Sequence, residues 1–184
     1  GDSISAGIGQ GYNAFTPMQL AHAIAAIAND GVAYRPRLLK RVTDATTGAV
    51  RELPPVVDGR LNLKPENIAF IKSSLEGVPK SGTSARAFLN AAYVSAGKTG
   101  TAQVFGLKGE KYVESRVAER LRDHAWYIAY APADAPTIAL AVLVENGGFG
   151  AQAAAPLARA AFDYHLTGKL PDVAARKPHV PAVD

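Results

Sequence analysis

The 184-residue chain contains no cysteine. That excludes a disulfide framework and a thiolate zinc site. His22, His124, His165 and His179 show no metal-ligand spacing, which argues against a metal centre. No apolar run is long enough to span a bilayer, and no signal-like segment opens the chain. Residue 1 is Gly rather than Met; it reads as a cut point, so targeting is not legible here. Neither sign of charge dominates: 20 Lys and Arg stand against 16 Asp and Glu, for a net charge of +4 and a pI near 9.4. This balance is compatible with an anionic surface. There is no dense Lys/Arg run with interleaved aromatics, so nucleic acid is not expected as a partner. No internal repeat occurs. What the chain does have is apolar residues, 48% of the total, enough to exclude disorder and to build one domain with a sizeable core.

The opening Gly7-x-Gly9-x-Gly11 lacks the spacing of a dinucleotide fingerprint and predicts tight backbone turning beside a site. Thr16-Pro17-Met18-Gln19 is a helix start: Thr16 caps, Pro17 suits the first position and Gln19 completes a capping box. Leu20, Ile24, Ile27 and Ala28 recur at helical spacing until Asn29-Asp30-Gly31 stops the run. Residues 37–43 and 49–53 flank a turn and predict a surface hairpin, with Arg35, Arg37, Lys40 and Arg41 on its solvated face. A helix is expected from about Pro65 to Glu76, ended by Gly77, with loop over 79–84 and a short helix or turn over 85–89. Residues 92–105 and 124–131 predict strands. The apolar run 137–144 predicts a strand buried on both faces. Between them, 106–123 is charged and predicts an exposed excursion, read here as a mobile flap. A helix over about 152–166 closes the series, with Gly168 just past its end. The Pro-rich tail from 169 predicts loose chain. Three consecutive strands of this kind form an antiparallel meander, whose outer strand leaves an apolar edge for further chain to cover.

Gly97-Lys98-Thr99-Gly100-Thr101-Ala102-Gln103 carries the chemistry. Lys-Thr-Gly on a strand is one of three signatures of serine enzymes that bind penicillin, the others being Ser-x-x-Lys and Ser-x-Asn. Acyl transfer needs an activated hydroxyl, an oxyanion hole and a clamp for a substrate carboxylate. Lys98 supplies positive charge. Thr99 and Thr101 alternate with Gly100, so their hydroxyls share one face and can both donate to a carboxylate. Gly100 lets a substrate backbone lie against the strand edge. The Thr101 N–H is then free to aim at an oxyanion. Ser95-Ala96-Gly97-Lys98 matches Ser-x-x-Lys formally, but on a strand Ser95 and Lys98 point to opposite faces, which rules out the pairing that a helix would give. No other serine has a Lys three residues on.

These residues resemble the transpeptidase domain of class B penicillin-binding proteins, of the penicillin-binding protein 2, cell-elongation type. The likeness extends through residues 7–12, 16–20, 29–31, 98–108, 118–124 and 145–148. It implies an α+β fold of the penicillin-recognising, β-lactamase-like kind, an antiparallel sheet flanked by helices. Residues 1–168 would be the C-terminal half of that domain, followed by the tail 169–184. The resemblance implies a peptidoglycan D,D-transpeptidase working through an acyl-serine on D-Ala-D-Ala stem peptides, inhibited by β-lactams, with no cofactor. It implies Lys98 and Thr101 as catalytic and Thr99, Gly100, Thr101 and Gln103 as substrate-binding residues. It further implies a place on the periplasmic face of the inner membrane, and as partners the N-terminal half of the same domain and a membrane glycosyltransferase of the elongation complex. Because the serine, its lysine and the Ser-x-Asn element are absent, this chain alone is expected to be inactive. A D-Ala-D-Ala carboxypeptidase or β-lactamase, and a non-catalytic sensor or scaffold on the same fold, share the Lys-Thr-Gly strand and remain as alternatives.

Overall fold

The computed structural model describes residues 2–7, 9–11, 13–104 and 117–169. A short helix, α1 (Asp2–Gly7), precedes α2 (Pro17–Ala28). The capping box at α2 forms as its sequence predicts: the Thr16 side chain accepts from the Gln19 N–H, and the Gln19 side chain meets the Thr16 backbone. Ile24, Ala26 and Ala28 form its buried stripe. Asn29 caps the far end, and Asp30 and Gly31 both take positive φ, 53° and 86°, to turn the chain. A Cβ on Gly31 would also press on Ile68 Cδ1 at 3.0 Å.

The turn leads into β1 (Val32–Tyr34), which pairs antiparallel with β4 (Val57–Arg60). Between them β2 (Arg41–Thr43) and β3 (Val50–Glu52) make the expected surface hairpin, shorter than predicted and fully exposed. Its turn is held by Asp44, whose carboxylate accepts from the backbone N–H groups of Thr46 and Thr47.

Helix α3 (Pro65–Ser81) corrects one expectation, since it passes through Gly77 and contains Pro79. Pro79 is buried, and its packing offsets the helix hydrogen bond it cannot donate. The stop lies instead at Gly82, whose N–H reaches the carbonyls of Gly77 and Val78. A Cβ there would lie 2.9 Å from Val78 Cα, so the position is fitted to glycine. Helix α4 (Ala85–Phe88) follows.

A three-stranded antiparallel sheet, in the order β5 (Ala96–Ala102), β6 (His124–Ala131), β7 (Ile138–Val144), forms the centre. Strand β5 is shorter than the predicted 92–105. The final helix α5 (Gly150–Thr167) ends at Gly168, with φ 71°. It packs Ala154, Ala155, Ala158 and Phe162 on the face formed by Ala125, Tyr127 and Ala129, together with Phe88 of α4. Helix α2 covers the opposite face, where Ile24 and Ala28 meet Ala96, Tyr130 and Ala133. Burying each large side chain here contributes roughly 1.5–3 kcal/mol. The result is the α+β layering expected: helix, antiparallel sheet, helix. Strand β7 is half-buried along its whole length rather than fully buried. Helices α2 and α5 both pack on it, while among the described residues its outer edge pairs with no strand. Residues 106–116 of the expected flap, and 170–184 of the tail, lie outside the described residues; of the remainder, Glu119–Leu121 form a 3₁₀ turn.

Candidate active-site strand

Strand β5 is the end strand of its sheet among the described residues. Its register on β6 pairs Lys98 with Ile128, Thr99 with Tyr127, Gly100 with Trp126 and Thr101 with Ala125. Paired residues share a face. Thr99 and Thr101 therefore lie on the α5 face with buried Tyr127 and Ala125, as the two-residue alternation predicts, while Lys98 lies on the α2 face with Ile128. Lys98 is exposed, and Thr99, Gly100 and Thr101 are half-buried. Gln103 and Val104 follow the strand and are exposed. Ser95 precedes the strand and is buried at 3% exposure, so it is closed off from the exposed Lys98.

A residue's N–H and C=O project to the same side of a strand, and neighbouring residues alternate. The N and O of Gly100 crowd, with Trp126 O, around one point beside β6. The polar groups of Thr99 and Thr101 consequently turn to the open edge. Both of their carbonyls carry side-chain donors. Lys98 Nζ donates to Thr99 O at 2.7 Å, which brings the ammonium round to the edge. Gln10 Nε2 donates to Thr101 O at 2.9 Å.

Below the strand, the link between α3 and α4 is fastened twice. Thr83 Oγ1 lies 2.8 Å from Thr99 Oγ1, and Ser84 Oγ lies 3.0 Å from Tyr127 OH in the core. Burial pushes the Tyr127 hydroxyl up to about 12, against a smaller downward pull from Ser84, so it stays neutral as a hydrogen-bonding group. That hydroxyl also accounts for Gly97, where a Cβ would lie only 2.6 Å from it. Gly150, the first residue of α5, abuts the same strand: a Cβ there would sit 2.2 Å from Trp126 O and 2.5 Å from Gly100 O. The turn before α5 is held to β6 by the Asn146 N–H donating to His124 Nδ1, at 2.9 Å, and the Gly148 N–H donating to Asp123 O, also at 2.9 Å. The first of these bonds leaves the imidazole proton on Nε2.

The structure thus brings Lys98, Thr99, Gly100 and Thr101 to one open edge, with Gln103 just beyond it. Sequence reasoning missed Thr83, Gln10 and Gly150 as its supports. The glycine-rich opening does carry a signal, since its spacing predicts turning beside a site, whereas Ser81-Gly82-Thr83-Ser84 reads only as loop.

The penicillin binding protein transpeptidase domain matches residues 1–163. This chain belongs to that family. It is 43% identical over 181 residues to the peptidoglycan D,D-transpeptidase MrdA of Haemophilus influenzae, covering 94% of this chain and 27% of that protein. Among solved structures it resembles Pseudomonas aeruginosa PBP2 in complex with WCK 5153, with a TM-score of 0.72, 35% identity, and coverage of 96% of this chain and 35% of that one. It also resembles the penicillin G acyl-enzyme complex of penicillin-binding protein A from Mycobacterium tuberculosis, with a TM-score of 0.69, 32% identity, and coverage of 88% and 34%. The chain therefore spans about a quarter of the length of the curated relative.

Proposed function

We propose that this chain is the C-terminal half of a serine D,D-transpeptidase domain that cross-links peptidoglycan stem peptides during cell-wall elongation. The observation that carries the reading is the open edge of β5, where the Lys98 ammonium and the outward peptide groups of Thr99 and Thr101 meet. An extended D-Ala-D-Ala peptide laid along this edge pairs with it as an added strand. Gly100 offers no side chain to obstruct it. The Thr101 N–H points at the carbonyl under attack and stabilises the oxyanion that forms there. Lys98 lowers the cost of negative charge in the cleft, and Thr99, Thr101 and Gln103 bind the peptide's polar groups. The attacking serine and the lysine that activates it come from the other half of the domain, for which the outer edge of β7, unpaired among the described residues, leaves a place in the sheet. The serine forms an ester with the penultimate D-Ala, the terminal D-Ala leaves, and an amine of a neighbouring stem peptide takes the acyl group.

β-Lactams are substrate mimics in this scheme and acylate the same serine. The full protein would work on the periplasmic face of the inner membrane beside a membrane glycosyltransferase. Among the described residues no helix is long and apolar enough to cross a membrane, so this reading places the anchor elsewhere in the protein.

The test is fluorescent-penicillin labelling of the full-length protein, followed by intact mass and peptide mapping. A single, slowly released adduct outside residues 1–184 is expected. Rapid release of the label, with the penicillin hydrolysed, would favour a hydrolytic relative. No adduct at all would favour a scaffold.

A further inference from the structure

The glycine-rich opening has no role in the chemistry above, yet it reaches the site. Gly9 and Gly11 take φ of 80° and 75°, conformations that side chains other than glycine rarely adopt, and they flank Gln10. The Gly9 N–H bonds to Ala6 O, and Asn13 Nδ2 donates to both Ala6 O and Gln10 O. The turn is thus closed on itself and presents one side chain inward. Gln10 is half-buried, and its amide crosses 91 residues of sequence to meet Thr101 O at 2.9 Å. A carbonyl only accepts, so the amide's nitrogen must face it.

We propose that Gln10 is a positioning residue for Thr101. Its amide holds the Thr101 carbonyl on one lone pair and leaves the second to an incoming peptide or β-lactam N–H. Holding that carbonyl fixes the Thr101–Ala102 peptide plane and the direction of the lone pair it offers to the substrate N–H, while the Thr101 N–H shares its own plane with the Gly100 carbonyl beside β6. The open edge of β5 has no partner strand to do this among the described residues. Gln10 supplies the order that a neighbouring strand would otherwise impose. This rests on the transpeptidase reading for its consequence in catalysis, but not for the hydrogen bond itself.

The experiment uses the full-length protein with Q10A, Q10E and Q10N, and with N13A to loosen the turn. Penicillin acylation is resolved into a binding constant and a rate at saturation, and amide hydrogen exchange is followed over residues 98–104. Q10A is expected to acylate about tenfold more slowly at saturation, with little change in binding and with thermal stability retained. Exchange over 98–104 should rise severalfold. Q10E should be slower still at pH 7, because a carboxylate repels the carbonyl, and should recover relative to Q10A as acid restores a donor proton, toward an unperturbed Glu value of about 4.3. Unchanged or faster acylation in Q10A would overturn the proposal, as would a loss that follows the fraction unfolded and shows no acid recovery in Q10E. If the wild-type protein takes no acyl group, the transpeptidase reading fails while the exchange measurement still decides Gln10: unchanged protection over 98–104 in Q10A overturns its positioning role.

Discussion

Thr83 Oγ1 and Thr99 Oγ1 lie 2.8 Å apart and belong to different elements, the α3–α4 link and the active-site strand. One hydroxyl donates and the other accepts, so each is left with a defined remaining role. The rotamer of Thr99 is set by a residue outside the Lys-Thr-Gly motif. T83A should release it, at a stability cost of about 1 kcal/mol for one such bond. Acylation by penicillins should weaken severalfold, mainly through binding, and T83S should restore it. Titrations with fluorescent penicillin on the full-length variants check this.

Lys98 carries the charge at the open edge, and K98M keeps most of its length without that charge. Acylation of the full-length protein should fall by at least a hundredfold, equivalent to about 2.7 kcal/mol, the scale of losing one oxyanion-hole donor. Folding should survive, since Lys98 is exposed. K98R should not recover the rate, because a planar guanidinium does not replace a compact ammonium. Stopped-flow acylation, with circular dichroism as control, separates these outcomes.

Gly150 lies against the backbone of two strands, not against flexible side chains. G150A must therefore move α5 or the β5–β6 pair, and overpacking of this kind costs about 1–3 kcal/mol. G168A, at the far end of the same helix, instead strains a positive φ and meets no atom within 4 Å. Both variants should lose stability in denaturant titrations, whereas only G150A should also slow acylation. Equal acylation by the two would show that α5 does not bear on the strand.

Burial raises the Tyr127 hydroxyl from its ordinary value near 10 to about 12. The unfolded chain releases that proton first, so it binds fewer protons than the folded chain above pH 10. The stabilising contribution is complete below pH 10 and is lost as pH rises through about 12. Alkaline denaturation should steepen in this window. Y127F removes the titrating group and should flatten this part of the profile, although Ser84 then loses its partner and the variant starts less stable at neutral pH.

Local signals were the ones most readable in the sequence. The α2 start is legible because Thr16, Pro17 and Gln19 lie within four positions and cap one another. Strand β6 falls on the predicted 124–131, and Gly168 ends α5, since both rest on neighbours along the chain. The end of α3 is not legible in sequence because Gly77 and Gly82 offer the same signal, and only packing around Pro79 and Val78 separates them. The β1–β4 pair was not anticipated, as its strands are distant in sequence and too short to show alternation. In the site, the alternation of Lys98, Thr99 and Thr101 was legible from strand period alone. The contacts of Thr83 and Gln10 were not, because which polar groups meet across the fold is decided by tertiary packing.

Strands β6 and β7 are joined by a short turn, and β5 pairs with β6 across residues 103–123, so the central sheet closes much shorter spans than its edge anchor does. The Gln10–Thr101 bond instead spans 91 residues. Closing so long a span costs more chain entropy than forming the neighbouring strand pairs. Sheet formation should therefore run ahead of the anchoring of its edge, and a refolding sample would regain its far-ultraviolet signal before its capacity to react.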